Sequence, residues 1–172
     1  FIAAAGIFAI SNFGVAFFIL RASANPGGMA QAAVLFTFFN VIYTLTTIPS
    51  GMMSDRIGRR AVLAASYFVF GIACILLSLE YPFWLGAAAF AAYAVSRAAY
   101  KTVEHAIAAE LSPKGEKAEG LGAYNAIVGL IALPANIGLG FAWQYLGAST
   151  AFGMAAVMAV FAAVAAWVLV EN

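Results

Sequence analysis

The sequence predicts an all-α membrane protein with six transmembrane helices. Hydrophobic residues make up 65% of its 172 residues and charged residues 9%, whereas a soluble domain carries about 25% charged residues. Six apolar runs, each long enough to cross a hydrocarbon core of about 30 Å as a helix, are separated by short polar breaks. A net charge of +1 without a basic block argues against a nucleic-acid partner.

The six spans are predicted at residues 1–21, 29–53, 61–79, 83–109, 119–144 and 149–170. They must be helices, because a helix satisfies its own backbone hydrogen bonds and lipid cannot do so. Since the connections are short, successive helices are expected to be antiparallel, and no separate soluble domain is predicted. The chain starts at Phe1, already apolar and without a signal-peptide pattern, so we expect it to be part of a longer protein.

The first two spans carry a small set of polar side chains. Asn12 lies in the first span, and Thr37, Asn40 and Thr44 follow one another in the second at spacings of three and four. Such spacing places the three on one face of a helix. A polar stripe of this kind either lines a water-filled path or hydrogen-bonds a neighbouring helix, and the sequence leaves both alternatives open.

Charge is concentrated in the connection after the second span, in the stretch PSGMMSDRIGRRAVL. Gly51 is expected to end the second helix, and Gly58 to occupy a tight turn with a positive φ, which glycine adopts without steric cost. Asp55 adds nothing to a positively charged loop, but it can meet a helix N-terminus or a neighbouring arginine. We therefore expect it to contact Arg59 or Arg60 within this chain, and the start of the fifth span near Glu119 and Gly120.

The fourth span is the most polar one, with Tyr93, Arg97, Lys101 and Glu104. In a helix over residues 83–109, Arg97 lies near mid-membrane, where a charge is costly unless it is paired or faces water, so it is a functional candidate. Glu104 has two interpretations: it belongs to the same path, or it forms a surface cluster with Lys101 and His105 that reaches toward water.

The fifth span contains Pro134, which removes a backbone hydrogen bond and should kink the helix, and Asn136, a further polar candidate. The third and sixth spans are almost entirely apolar.

Basic residues predict the orientation. The connections after spans two and four hold most of them (Arg56, Arg59, Arg60, Lys114 and Lys117), whereas the other connections hold only Arg21. By the positive-inside rule the first set is cytoplasmic. Both termini of this segment are then cytoplasmic as well, because the number of spans is even.

The pattern G-x-x-x-D-R-x-G-R-R, from Gly51 to Arg60, resembles the cytoplasmic loop signature of the major facilitator superfamily (MFS) of secondary transporters. The resemblance implies a protein of two six-helix halves, each built as two inverted three-helix repeats, with this chain as one half. It also implies a gating latch, in which Asp55 holds a helix of the other half and the arginines tie the loop to helix ends and lipid phosphates.

Stretches such as AFFILRA and VEHAIAAELSP resemble the C-terminal half of bacterial drug-efflux-like members, which would place the protein in a bacterial inner membrane. The N-terminal half is the alternative, because the signature is usually best kept there. Similar transporters often carry acidic residues where Lys101 stands and near Val15, and this chain has neither.

Together, residues and resemblance predict proton-coupled export of a small molecule by alternating access. The predicted substrate and proton path contains Asn12, Thr37, Asn40, Thr44, Tyr93, Arg97, Lys101, Glu104 and Asn136. The expected partners are the lipid bilayer, the other six-helix half and a small-molecule substrate, with a proton gradient instead of a bound cofactor. The alternatives are an organic anion transporter that uses Arg97 and Lys101, and a receptor-like membrane protein without transport activity. An enzyme is not expected, since one histidine and one cysteine, far apart, form neither a nucleophile–base pair nor a metal cluster.

Overall fold

The computed structural model describes residues 1–12, 14–113 and 115–170, and within these ranges the chain is all-helical. The helices of the described residues are α1 (Ile2–Ser11), α2 (Val15–Ser23), α3 (Gly28–Ile57), α4 (Arg59–Ser78), α5 (Phe83–Leu111), α6 (Lys117–Leu146) and α7 (Ala148–Leu169). The predicted all-α class is confirmed.

The first predicted span is divided into two helices. Asn12 leaves the helical conformation with ψ 87°, and Gly14 precedes α2 in an extended conformation with ψ 149°. Asparagine and glycine are both weak helix formers, because the asparagine side chain competes for backbone hydrogen bonds and glycine loses the most backbone entropy. An apolar run alone therefore did not guarantee one continuous helix over residues 1–21.

The end of α3 lies at Gly58 and not at Gly51. Gly58 has φ +93°, as predicted for the tight turn between α3 and α4. Gly51 lies inside α3, where an added Cβ would stand 3.4 Å from Cγ2 of Thr102 in α5. The expectation that Gly51 ends the helix was wrong, and its small size instead accompanies a close approach of α3 and α5.

Five helical stretches of the described chain are long and apolar enough to cross a membrane: Ile2–Ser23, which includes α1 and α2, and the helices α3, α4, α6 and α7. Helix α5 has sufficient length at 29 residues, but it carries Arg97, Lys101 and Glu104 along its second half. It is thus the helix in which apolar character is most interrupted.

The core is centred on α4 and α5. Helix α4 packs against α7 and α5, α5 against α3, and α1 against α7 and α6. Large aromatic side chains from α1, α2, α4 and α5 are fully buried between them (Phe8, Phe18, Tyr67, Phe70, Phe90, Tyr93 and Tyr100).

Two ends of the bundle can be distinguished by contacts. We call the end that carries the Gly58 turn and the α5–α6 connection the motif end, because Arg59 at the start of α4 pairs there with Glu110 of α5. The opposite end is the far end, where Arg21 of α2 donates hydrogen bonds to the carbonyl oxygens of Leu77 and Leu79, at 2.9 and 2.8 Å. Helices α3 and α6 run the full distance between these ends and expose most of their surface.

Candidate functional site

Arg97 lies halfway along α5 and keeps its charge unpaired. Its Nη1 donates a 2.8 Å hydrogen bond to the hydroxyl of Tyr93, one turn earlier. The Tyr93 ring is itself fixed by stacking on Phe18 and Phe39, with centroids 4.0 and 5.0 Å apart. Among the described residues no carboxylate lies within ion-pair distance of Arg97. The guanidinium is therefore held in place by aromatic side chains and remains available to an anion.

Glu104 is buried, with 2% of its surface exposed. Its Oε1 accepts a 2.7 Å hydrogen bond from the hydroxyl of Tyr67 in α4. The interpretation of Glu104 as part of a surface cluster was wrong. His105 is exposed while Glu104 points into the bundle, because consecutive residues of an α-helix are rotated by about 100° from one another.

Three further groups surround this carboxylate. Lys101 is half-buried one turn earlier on α5. Both Lys101 and Tyr100 interact electrostatically with the Glu104 carboxylate. Tyr124 of α6 also lies close to it, and the buried Tyr124 hydroxyl makes no hydrogen bond within the described part of the chain. A buried carboxyl with one firm donor and a second donor nearby can bind and release a proton.

Asn12 connects the break in the first span to this group. Its Nδ2 donates a 3.0 Å hydrogen bond to the hydroxyl of Tyr100, whereas its Oδ1 is buried without a partner among the described residues. Asn136 lies at the same break on the other side, where its Oδ1 accepts a 3.3 Å hydrogen bond from the backbone N–H of Gly14. The two asparagines thus bracket the break between α1 and α2.

The polar stripe of α3 stays apart from these residues. Thr37, Asn40 and Thr44 are exposed, and each side chain donates to the backbone carbonyl four residues earlier in its own helix, at 2.7 to 2.9 Å. In the described ranges these side chains form no hydrogen bond to a neighbouring helix. The stripe therefore leaves a polar line on the open surface of α3.

Sequence reasoning missed three tyrosines of the site, Tyr67, Tyr100 and Tyr124. A signal existed for Tyr100, because Tyr93, Arg97, Tyr100 and Glu104 follow one another at spacings of four, three and four, which is one face of a helix. No signal existed for Tyr67 and Tyr124, since each is a single tyrosine in an apolar run.

The signature loop forms its own contacts at the motif end. Arg59 pairs with the carboxylate of Glu110, and this pairing lowers the pKa of Glu110, which lies beyond the predicted span. Arg60 lies over the ring of Trp167 in α7, with 4.6 Å from Cζ to the ring centroid. The expected contacts of Asp55 with Arg59 or Arg60 are absent from the described residues, since both arginines point toward other helices.

Asp55 instead borders an open pocket of about 440 Å³ between the ends of α3 and α5. The pocket is lined by Ser54, Asp55, Gly58, Arg59, Ile107, Glu110 and Leu111. Gly58 and Arg59 connect it to the start of α4, and Arg56, one residue from Asp55, is exposed. Because the neighbouring Arg59 is already paired with Glu110, the exposed Asp55 carboxylate is accessible to a partner from outside the described chain.

Residues 1–172 match the model of the Major Facilitator Superfamily. The chain is also similar to an uncharacterized MFS-type transporter of Methanocaldococcus jannaschii, with 32% identity over 154 residues that cover 84% of this chain. It spans 38% of the length of that relative. On the match over its whole length, the chain belongs to the Major Facilitator Superfamily.

Proposed function

We propose that this chain is one six-helix half of a secondary active transporter that exports a small molecule in exchange for protons, by alternating access. The family supports membrane transport in general. The observation that carries the proton coupling is Glu104, a carboxyl buried among apolar and aromatic side chains of a membrane bundle and hydrogen-bonded to Tyr67. An ionisable residue in such a position is retained at a cost in stability, which favours a functional role.

The packing of the helices supports two inverted three-helix repeats. We treat α1 and α2 together as the first span. When spans one, two and three are exchanged with spans four, five and six, the same pairs of spans are in contact. The contact of α1 with α7 then corresponds to that of α5 with α4, and the contact of α1 with α6 to that of α5 with α3. Inverted repeats of this kind place the substrate site at the interface of repeats near the bilayer midplane.

A second six-helix half is the partner that we propose for the open surfaces of α3 and α6. Both helices are long, apolar and scarcely buried within this chain. The resemblance of AFFILRA and VEHAIAAELSP favours the C-terminal half. The positive-inside rule supports a cytoplasmic motif end, with Arg56, Arg59 and Arg60 in its loop, and a bacterial inner membrane remains part of the proposal.

A specific observation favours a second candidate, an organic anion transporter. Arg97 and Lys101 lie one turn apart on α5, and within the described residues neither forms an ion pair. An unpaired guanidinium fixed by Tyr93 can bind a carboxylate or sulfonate through charge-assisted hydrogen bonds. Proton coupling at Glu104 is compatible with either substrate class.

One assay tests both candidates. The assembled transporter is reconstituted in proteoliposomes, and movement of tetraphenylphosphonium or naphthalene sulfonate is followed with and without a proton gradient. Glu104→Gln should abolish gradient-driven transport and leave gradient-free exchange of the substrate intact, because only the proton step needs the carboxyl. Glu80→Gln, an exposed acid in the α4–α5 connection, is the matched control and should behave as wild type.

The two substrate classes separate in the same assay. If the anion is the substrate, Arg97→Gln should lower its apparent affinity by about tenfold or more, since a charge-assisted bond is lost. Gradient-driven transport by Glu104→Gln at the wild-type rate would remove Glu104 as the proton site. If the wild-type protein moves neither probe nor protons, the transporter proposal fails and the receptor-like alternative is favoured.

A further inference from the structure

Helix α6 is attached to the bundle by few buried side chains. Of its 30 residues, Tyr124, Leu139 and Ala142 are buried. Leu139 and Ala142 are apolar and attach the half of α6 near the far end to the bundle. Tyr124 is the buried residue of the half near the motif end, where Leu121 and Val128 are partly buried beside it.

Pro134 lies between these two attachments. It has no N–H to donate to the carbonyl of Leu130, so the helix is weakest between its two fixed halves. The glycines at 122 and 129 have no atom within 4 Å of an added Cβ, whereas an added Cβ at Gly120 would clash with the Ser112 side chain, so the motif-end half has a close neighbour only at its start among these three positions. Residues 117–133 contain one buried residue, Tyr124, against two in the other half, so less burial is lost if this half moves.

Tyr124 lies beside the turn of α5 that carries Glu104: its ring centroid is 6.4 Å from that of His105, it packs in one cluster with Ala108, and its buried hydroxyl has no hydrogen-bond partner among the described residues. One carboxylate oxygen already accepts a hydrogen bond from Tyr67, which is fixed in the tightly packed α4–α5 pair. The titratable groups that face Glu104 among the described residues are Tyr67 of α4, Tyr100 and Lys101 of α5, and Tyr124 of α6. Of these, Tyr124 alone belongs to a loosely packed helix.

We infer that Tyr124 couples the ionisation of Glu104 to the position of the motif-end half of α6, an inference that rests on the proposed proton site. An ionised carboxylate in an apolar bundle needs a second donor, and the Tyr124 hydroxyl is within reach to supply it. This bond draws residues 117–133 onto α5. When a proton binds the carboxylate oxygen, the bond becomes a neutral one of about half the strength, and the segment is released. Tyr124 keeps its own proton throughout.

The inference is tested by electron spin resonance on the assembled transporter. Nitroxide labels are attached at Glu119→Cys in α6 and Val168→Cys in α7, both exposed, in a background without other cysteines, with Cys74→Ala in this chain. The distance distribution of the wild type should be narrow in alkaline buffer and broad in acid, with the ratio of the two populations changing by about tenfold. Tyr124→Phe and Glu104→Gln should each give a broad, pH-independent distribution.

Two controls exclude neighbours as the switch. His105, whose ring centroid lies 6.4 Å from that of Tyr124, also titrates, so His105→Gln must keep the pH response. Tyr145→Phe, at the exposed far end of the same helix, must keep it too. A wild-type pH response in Tyr124→Phe, its loss in His105→Gln, or its absence from the wild type would each overturn the inference.

The transport assay separates this inference from the proposed function. Gradient-driven transport with unchanged label distances would leave Glu104 as the proton site and remove the role of Tyr124. A pH response of α6 that needs Tyr124 and Glu104, without gradient-driven transport, would support the coupling of the two residues and overturn proton-driven export.

Discussion

The charged side chains of this chain differ in whether a partner satisfies them. Arg21 donates to the backbone carbonyls of Leu77 and Leu79 at the end of α4, Arg59 pairs with Glu110, and Arg60 lies over Trp167. Asp55 and Arg97 have no ion pair among the described residues. The charges with a partner stabilise the arrangement of the helices, whereas Asp55 and Arg97 are available to the proposed substrate or to the proposed second half.

Asp55 should affect the rate of transport without contacting substrate, because it lies at the motif end and borders an open pocket. Interaction of an acid with a helix N-terminus is typically worth about 0.3–1 kcal/mol, and up to about 2 when partly buried. Asp55→Asn should therefore slow transport by several-fold to about thirtyfold, with little change in substrate affinity. The measurement is the transport rate in proteoliposomes beside substrate binding at equilibrium.

Glu116→Gln is the control for this substitution, since Glu116 is an exposed acid in the α5–α6 connection at the same end. Equal rates for wild type and Asp55→Asn would mean that Asp55 plays no part in gating.

In two connections of this bundle, α3–α4 and α6–α7, a single glycine separates one helix from the next. Gly58 and Gly147 have φ +93° and +91°, and each one both ends a helix and begins the next. With ψ 147° and 160°, both lie in a backbone region that is essentially restricted to glycine. The tight connections α3–α4 and α6–α7 depend on these two residues.

Gly58→Ala should destabilise the protein by about 1–3 kcal/mol, because a Cβ is strained in this conformation. The matched control is Gly122→Ala, inside α6, where an added Cβ meets no atom within 4 Å. Alanine there should raise stability by up to about 1 kcal/mol, since it forms helices better than glycine. Thermal unfolding in detergent measures both, and equal midpoints for the two variants would refute the strain at Gly58.

The bundle as a whole distributes its exposed apolar surface unevenly. In the apolar stretch of α6, 6% of the residues are buried, and in that of α3 17%, compared with 50% in α4 and 39% in α7. Helices α4 and α7 pack against each other, so their remaining exposed faces suit lipid. The open face of α3, which carries the polar stripe, and the open face of α6 suit the proposed second half instead.

A nitroxide scan of the assembled transporter in lipid should separate these surfaces. A label at Leu130 of α6, 73% exposed in this chain, should be shielded from oxygen dissolved in the bilayer if the proposed second half covers it. A label at Phe161 of α7, 61% exposed, should stay accessible to that oxygen. Equal collision rates at the two positions would contradict the proposed partner surface.

Most of the fold could be predicted from local sequence. Apart from the first span, which is divided between α1 and α2, the helices lie within a few residues of the predicted spans, because transfer of apolar side chains into lipid and backbone hydrogen bonding act on each segment separately. The positive φ of Gly58 followed in the same way from the backbone freedom of a single residue. Arg97 and Glu104 were also recognisable as candidates, since a charge inside an apolar span stands out in any arrangement of the helices.

The tertiary structure alone decided what these charges contact. The turn of α5 that exposes His105 buries Glu104 against Tyr67, and the start of α4 directs Arg59 to Glu110 and away from Asp55. The break between α1 and α2 likewise coincides with contacts of Asn12 to Tyr100 and of Gly14 to Asn136, which are distant in sequence. Such pairings depend on the rotation and depth of whole helices, which are determined by packing against several neighbours at once and not by the residues of one segment.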